Sequence, residues 1–216
     1  MASAAGPNLE VDGLVLCLDA ANTQSYPGSG TTWTDISGKG NNGTLTNGPT
    51  FSSDYGGKFN FDETDDYVDC GNILNQTAYT KSAWFRPESS TRNIISGPAN
   101  HAFWMNSSDN QLAAGHQGVW TRVSYTVPSG NMLNQWWNGV VTWNNSTGWV
   151  LYVNGVQVDT DSNTTGPGGT TGVYISRYSS GNYFDGDIAQ AMIYDRVLTA
   201  TEVLQNYNSH KGRFGL

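Results

Sequence analysis

Charged residues are scarce in this chain and make up 13% of its 216 residues, which is about half the usual share. Ten basic residues face 18 acidic ones, so the formal net charge is −8. A surface that binds phosphate groups needs clustered lysine and arginine, and the basic residues here are scattered. The composition therefore excludes nucleic acid as a partner and argues against binding to anionic membranes.

Long apolar segments are also missing. No run approaches the roughly 18 residues of a membrane-spanning helix, which excludes membrane insertion. Residues 1–13 have neither the charged start nor the apolar stretch of a secretory signal. The sequence thus predicts a protein that is made in the cytoplasm and either stays there or leaves by another route.

Cysteine is limited to Cys17 and Cys70, which both lie in predicted strands. Two interpretations stay open: two small buried apolar side chains, or one disulfide between strands, which requires an oxidising compartment. Two cysteines are too few for a zinc site, which usually takes four ligands.

Recognisable catalytic arrangements are absent too. The three histidines, His101, His116 and His210, are not spaced as ligands on one element, and no serine or cysteine stands in a triad context. The glycine-rich run at residues 166–169 precedes a predicted strand and not a helix. It is therefore predicted to be a turn and not a phosphate-binding loop.

What the chain does contain is a series of short strand patterns. From Lys58 onward they recur every 8–12 residues with turn signals between them, which is typical of an all-β sandwich or barrel. Asn154-Gly155 is the strongest two-residue hairpin signal. All-β domains of 200–250 residues often form one unit. Residues 20–57 lack clear periodicity, and we expect their apolar side chains to pin this segment to the sandwich: Trp33, Ile36, Leu45 and Phe51.

The region 185–212 combines a strand pattern with a helix. In the strand, Ile188, Met192 and Tyr194 are predicted to face the same side. Thr199 and Glu202 have the spacing of a capping box at the start of the helix. The predicted apolar stripe of this helix is Val203, Leu204 and Tyr207.

The last residues are basic and apolar on an acidic chain. Gly212 is predicted to end the helix in a left-handed conformation. Beyond it come Arg213, Phe214 and Leu216. One hypothesis is that this tail reaches a neighbouring subunit and does not fold back; the alternative is a frayed terminus.

The order and spacing of the motifs resemble the concanavalin A-like, laminin-G-like family. The resemblance implies an all-β jelly-roll β-sandwich of two antiparallel sheets with a short C-terminal helix. It divides the chain into an N-terminal extension (1–12), a laminin-G-like domain (13–212) and a C-terminal tail (213–216). The motifs that carry it are GLVLCLD (13–19), WTDISGKGNNGTL (33–45), FNFD (59–62), DYVD (66–69), AWFRP (83–87), LYVNGV (151–156), GDI (186–188) and IYDRVLT (193–199).

The overall character of the sequence, including the tail NYNSHKGRFGL (206–216), is similar to laminin-G-like domains of tailed phages of marine bacteria. This resemblance implies a non-catalytic virion surface protein, either a capsid decoration or a tail-associated part, located in the virion. Its expected partners are other virion proteins, a host-surface glycan and further copies of the chain. The alternative is a carbohydrate-binding lectin module.

A glycan-cleaving enzyme is the third hypothesis. Laminarinase-type enzymes of the same fold family carry Glu-x-Asp-x-x-Glu on one strand, and retaining glycosidases need two carboxyl groups about 5–5.5 Å apart. None of the four glutamates stands in that pattern, so the protein is predicted not to be an enzyme: Glu10, Glu63, Glu88 and Glu202.

The densest acidic cluster suggests a metal site. Asp62, Asp65 and Asp66 could supply oxygen ligands to one Ca²⁺, which takes 6–8 of them. Laminin-G-like domains often hold one Ca²⁺ at the sandwich rim, and Asp185 with Asp187 forms a second candidate corner. The alternative is a solvated turn whose aspartates cap their own backbone.

Aromatic residues amount to 12% of the chain. Sugar C–H faces stack on aromatic rings, and tyrosine and tryptophan are also enriched at protein interfaces. Four rings lie near predicted loop edges beside polar residues, and packing, a protein partner and a sugar all remain open for them: Trp104, Trp120, Tyr178 and Tyr183.

Overall fold

The computed structural model describes residues 8–89, 93–97, 100–106, 110–169 and 171–216. These residues form many strands and a single α-helix, α1 (Ala200–His210), with short 3-10 helices at Asp54–Gly56 and Lys211–Phe214. The strands in chain order are β1 (Leu14–Asp19), β2 (Thr32–Trp33), β3 (Gly43–Thr46), β4 (Thr50–Ser52), β5 (Lys58–Asp62), β6 (Tyr67–Asn72), β7 (Ala78–Pro87), β8 (Ile95–Ser96), β9 (His101–Asn106), β10 (Gln111–His116), β11 (Val119–Thr126), β12 (Trp137–Asn144), β13 (Gly148–Val153), β14 (Val156–Asp161), β15 (Gly172–Ile175) and β16 (Asp185–Tyr194).

Antiparallel strands form two facing layers. The first layer is an eight-stranded main sheet in the order β14-β13-β12-β7-β16-β5-β4, and β1 also pairs with β16. The second layer consists of a five-stranded sheet, β2-β3-β6-β15-β8, and a three-stranded sheet, β11-β10-β9. The predicted antiparallel β-sandwich with a C-terminal helix is confirmed, and its second sheet is divided into two parts.

The core between the layers is rich in aromatic side chains. Alternation along β5 sends Phe59 and Phe61 inward, where both are fully buried. Trp33 and Leu45 are buried in the same cluster, and Phe51 packs against its edge. Ile36 packs instead on the outer face of the main sheet. Residues 20–57 are therefore pinned to the sandwich as predicted.

The predicted face of β16 is wrong in one respect. A β-bulge lies between Ile188 and Gln190 in the pairing with β7, and a bulge shifts the alternation of a strand by one residue. Ile188 therefore points into the core between the layers, whereas Met192 and Tyr194 point to the opposite side, under the helix. The sequence pattern alone does not reveal the extra residue.

The Asn154-Gly155 hairpin is confirmed. Both residues have positive φ angles, 50° and 77°, as the preferred two-residue turn requires. The Asn154 side chain also accepts a hydrogen bond from the backbone N–H of Asn138 at 2.9 Å. The turn thus joins β13 to β14 and holds the end of β12.

The capping box at the start of α1 is confirmed as well. The backbone N–H of Glu202 donates to Oγ1 of Thr199, and the backbone N–H of Thr199 donates to the Glu202 carboxylate at 2.6 Å. The predicted apolar stripe is only partly correct, because Val203 is buried while Leu204 is exposed. Asn206 is buried in its place and donates to the hydroxyl of Tyr194 at 3.0 Å.

The prediction for the C-terminal tail is wrong. Gly212 does not end the helix, because the chain continues in a 3-10 turn until Gly215, whose φ angle is 76°. Phe214 folds back onto the outer face of the main sheet, where it stacks on Trp84 with 4.3 Å between ring centroids. Arg213 pairs with Asp19 at 2.7 Å. The tail thus covers its own sheet and does not extend to a neighbour.

The N-terminal extension is described only from residue 8, and residues 1–7 of it lie outside the described residues. The described part lies against α1, since the backbone N–H of Glu10 donates to the Asn206 side chain at 2.8 Å. The Gln205 side chain donates to the carbonyl of Asn8 at 2.6 Å.

The two cysteines are buried and unpaired. Cys17 faces the helix side of the main sheet, and Cys70 faces the core between the layers. Burial, together with the negative charges of Asp19 and Asp35, raises the pKa of Cys17 to about 12. The structure therefore agrees with the interpretation as small buried side chains.

Candidate functional site

A pocket of about 220 Å³ lies on the outer face of the three-stranded sheet. Alternation along β9 turns Phe103 and Met105 into the core. Ala102 and Trp104, which alternate with them, therefore face outward. A bridge between Asn93 and Trp104 connects this sheet to the chain before β8. The pocket is therefore located where the two parts of the second layer meet.

Three of the four predicted aromatic residues line this pocket: Trp104, Trp120 and Tyr178. All three are partly exposed. Trp120 and Tyr178 form an edge-on pair with ring centroids 5.1 Å apart. Nε1 of Trp104 donates to the carbonyl oxygen of Trp120 at 2.9 Å. This bond and the aromatic pair fix the rings before any ligand arrives.

Gly115 in β10 has no side chain, which allows the backbone of Trp120 in β11 to lie close to it. The pairing of β10 with β11 is irregular between Ala114 and His116. A Cβ atom on Gly115 would overlap the carbonyl oxygen of Val119 and crowd the backbone of Trp120. A larger residue at position 115 would therefore displace one wall of the pocket.

Two asparagines that the sequence reasoning missed supply the polar lining, Asn93 and Asn182. Asn93 is buried and already bonded, since it accepts from Oγ of Ser96 at 2.7 Å. Asn182 is exposed, and within the described residues only its backbone carbonyl is used, by the Asn93 side chain at 3.3 Å. The Asn182 amide group is thus free to bond a ligand.

Tyr183, the fourth predicted aromatic residue, is not part of the pocket. Asn182 has a φ angle of 56°, and this left-handed residue turns the chain so that Tyr183 points to the other side of the segment. There its ring lies 6.4 Å from the ring of Tyr67. The segment 177–183 therefore contributes side chains to two different surfaces.

The predicted acidic cluster is assembled in space. The carboxylate oxygens of Asp62, Asp65 and Asp66 lie within 4.8 Å of one another, in the turn between β5 and β6. Asp66 is buried, and its pKa is raised to about 6 by that burial and by repulsion from Asp62 and Asp65.

Both interpretations of this cluster find support in its geometry. Three converging carboxylates suit Ca²⁺, which favours oxygen ligands and would offset their repulsion. The backbone N–H of Thr64 also donates to Oδ1 of Asp62 at 2.9 Å, which is the hydrogen bond of an aspartate-capped turn. The residues therefore fit a calcium ion and also fit an aspartate-capped turn.

The second candidate corner, Asp185 with Asp187, is not available to a metal ion. Asp187 is fully buried and pairs with Lys58 at 2.7 Å and with Arg86 at 2.6 Å. The Asn60 side chain also donates to it at 3.2 Å. Its charge is already compensated, so it serves as the centre of an ion-pair network on the main sheet.

Ion pairs between described residues involve Glu10, Glu88 and Glu202. Glu88 pairs with Arg86 at 2.6 Å. Arg196 pairs with Glu202 at 2.8 Å and with Glu10 at 3.5 Å. Arg196 and the bonds from Thr199 lower the pKa of Glu202 to about 2. Glu202 is thus not in the state of a general acid, which needs a raised pKa.

A family model described as the concanavalin A-like lectin/glucanases superfamily matches residues 62–204, which is more than half of the chain. The chain belongs to this superfamily. The pocket residues Trp104, Trp120, Tyr178 and Asn182 and the cluster at Asp62–Asp66 all fall inside the matched region. The expected family is thereby confirmed.

Several solved structures resemble this member of the superfamily. The binding domain of botulinum neurotoxin DC in complex with SialylT aligns with a TM-score of 0.70 and 14% identity over 92% of this chain and 52% of that one. The binding domain of Paraclostridial Mosquitocidal Protein 1 has a TM-score of 0.69 and 17% identity over 92% and 52%. Trypanosoma rangeli sialidase in complex with 2,3-difluorosialic acid has a TM-score of 0.69 and 14% identity over 96% and 35%.

This chain thus spans about half the length of the toxin domains and about a third of the sialidase. At such identities the likeness concerns the fold. No curated protein matches the chain in sequence. Within the described residues, no helix is long and apolar enough to cross a membrane.

Proposed function

We propose that the chain is a non-catalytic carbohydrate-binding module and that its pocket holds one sugar ring. The observation that carries this proposal is the convergence of three partly exposed aromatic rings around one pocket: Trp104, Trp120 and Tyr178. Rings of this kind offer flat apolar faces for the C–H groups of a sugar together with polar edges.

The size and the polar lining of the pocket favour a small ligand. Its volume of about 220 Å³ is below the roughly 300–1,000 Å³ of sites for drug-sized molecules. The exposed amide of Asn182 can bond a hydroxyl group as donor and as acceptor. A single ring with several hydroxyl groups matches this combination of apolar walls and one polar group.

The related folds point in the same direction. The superfamily is described as one of lectins and glucanases, and one structural neighbour is a toxin binding domain in complex with SialylT. Among the two named activities, binding is favoured here because Glu88 and Glu202 are held in ion pairs.

A glycan array followed by calorimetry tests the proposal. We expect wild-type protein to bind at least one glycan, and Trp120→Ala to weaken that binding at least tenfold because one stacking face is lost. Trp120→Phe should restore most of the affinity. Leu204→Ala is the control, since this exposed side chain lies on α1 and outside the pocket, so its loss should leave the affinity unchanged. Equal affinity of wild type and Trp120→Ala would overturn the assignment of the pocket.

We also propose that Asp62, Asp65 and Asp66 hold one Ca²⁺. A ligand that binds only the folded state raises the melting temperature. Millimolar Ca²⁺ should therefore stabilise the wild type, and Asp65→Asn should abolish the effect. Asp54→Asn, which changes an exposed aspartate outside the cluster, serves as control. A melting temperature that does not respond to Ca²⁺ would contradict the calcium site and favour the interpretation as an aspartate-capped turn.

The location of the module remains a proposal based on sequence resemblance. We propose that it is displayed on a phage virion, where it contacts other virion proteins or further copies of itself and presents the pocket to a host-surface glycan. Mass spectrometry of purified virions tests this location, and absence of the chain from them would favour a free lectin.

A further inference from the structure

Arg177 lies against two tyrosine rings on the outer face of the five-stranded sheet. Its guanidinium carbon is 4.4 Å from the centre of the Tyr67 ring and 4.9 Å from that of Tyr174. Those two rings are in edge-on contact with each other at 5.6 Å, and Tyr183 adjoins Tyr67. Cation–π contacts of this kind hold the guanidinium in one orientation.

The charge of Arg177 has no counterion within the described residues. Arg86, Arg196 and Arg213 each form an ion pair with a carboxylate at 3.0 Å or less, and Arg177 forms none. Its Nε atom is buried without a hydrogen-bond partner. The side chain as a whole is only half-buried, so the terminal nitrogens are the part that a ligand can reach.

This geometry suits a planar anion. A guanidinium group bonds a carboxylate through two parallel N–H donors. Because the Arg177 guanidinium lies over the tyrosine rings, the N–H groups at its edge are free for those bonds. The three phenol rings beside it can stack on or bond the rest of a ligand. An acidic sugar combines a carboxylate with the hydroxyl and C–H groups that such a surface accommodates.

The surrounding charge disfavours ligands that carry more than one negative charge. Asp69 lies directly opposite Tyr174 in the pairing of β6 with β15, and the chain carries a net charge of −8. Both repel anions, and the repulsion grows with the charge of the ligand. A polyanion such as an acidic peptide is therefore disfavoured relative to a monocarboxylate.

We propose that Arg177, together with Tyr67, Tyr174 and Tyr183, forms a second binding site that takes the carboxylate of a singly charged acidic sugar. This site is separate from the pocket of Trp120, because Tyr178 and Tyr183 point to different surfaces. It does not depend on what the pocket binds.

Two sugars that differ in one carboxyl group, charged in the first and esterified in the second, provide the test: methyl glucuronoside and its methyl ester. Their dissociation constants for the full chain are measured by NMR titration at low ionic strength, where charge effects are least screened. The acid should bind at least ten times more tightly than the ester. Arg177→Gln should remove this preference, and Arg177→Lys, which keeps the charge without the paired donors, should retain only part of it. Equal binding of acid and ester to the wild type would overturn the proposal.

Control variants separate this site from the pocket. Trp120→Ala should keep the preference for the acid, and a loss of preference there would place the carboxylate in the pocket and contradict the proposal. Melting curves check that each variant is folded. If Arg177→Gln does not fold, Arg177→Lys decides the question, because an unchanged preference in that variant excludes recognition by the guanidinium fork.

Discussion

Replacing Phe214 with alanine should lower the free energy of unfolding by about 3–5 kcal/mol, the usual cost of removing a buried phenylalanine. Phe214 is only 6% exposed. It stacks on Trp84 at 4.3 Å and packs against Trp136 at 4.6 Å. Its removal would open a cavity between these rings and expose part of the main sheet. For a chain of this size the melting temperature should fall by roughly 10 °C.

The matched control is Leu216→Ala, two residues further along the tail. Leu216 is 48% exposed, so its truncation should change stability by less than about 0.5 kcal/mol. Thermal unfolding followed by circular dichroism compares the two variants. If Phe214→Ala melted together with Leu216→Ala, the packing of the tail would not contribute to the fold.

A second large effect concerns Lys81, which is fully buried in the middle of the main sheet. Its Nζ donates to the carbonyl oxygen of Ile95 at 3.2 Å and to Nδ1 of His101 at 2.7 Å. Nε2 of His101 in turn donates to the carbonyl oxygen of Gly172 at 2.9 Å. Burial lowers the pKa of Lys81 and that of His101 well below their usual values, which favours the neutral form of both groups in the folded protein.

Stability should therefore rise with pH because of Lys81. The unfolded chain protonates this amine below a pKa of about 10.4, whereas the folded chain does so only at a lower pH, so lowering the pH favours unfolding. Relative to Lys81→Met, the wild type should lose up to about 1.4 kcal/mol of unfolding free energy per pH unit as the pH falls from about 10.4 towards the lowered pKa of the folded state. Because the two proteins share all other titratable groups, the contributions of those groups cancel in the difference between the two unfolding free energies.

Urea unfolding at several pH values measures this difference. The exposed Lys39 provides the control, since Lys39→Met should follow the pH dependence of the wild type. Parallel curves for wild type and Lys81→Met would mean that Lys81 is charged in the folded protein.

Local features of this fold could be read from the sequence, because neighbouring residues determine them. The Asn154-Gly155 turn depends on two residues that accept positive φ angles, and the capping box depends on Thr199 and Glu202. Both were predicted correctly. The family motifs placed the strands because each motif combines alternating apolar residues with a fixed turn.

Other features depend on distant partners and could not be read in this way. In the sequence Lys81 resembles a surface residue, and only the fold brings His101 and Ile95 to it from the two sheets of the second layer. Phe214 folds back because Trp84 and Trp136 offer it an apolar surface. In each case the decisive contact spans a long stretch of sequence.

The candidate site shows the same division. Aromatic residues beside polar ones identified Trp104, Trp120 and Tyr178, which the fold does bring together. Tyr183 was grouped with them because side-chain direction after the left-handed Asn182 is not visible in the sequence. Arg177 was missed, because only the structure shows that no carboxylate of the described residues pairs with it.

The position of β16 in the main sheet bears on the order of folding. β16 lies between β7 and β5, although it follows all other strands of the described residues. Until residue 194 has left the ribosome, β5 and β7 have no common neighbour, and β1 lacks its partner as well. Contacts of such large sequence separation form slowly, and unpaired strand edges promote aggregation. The nascent chain must therefore keep several strand edges exposed until β16 has been synthesised.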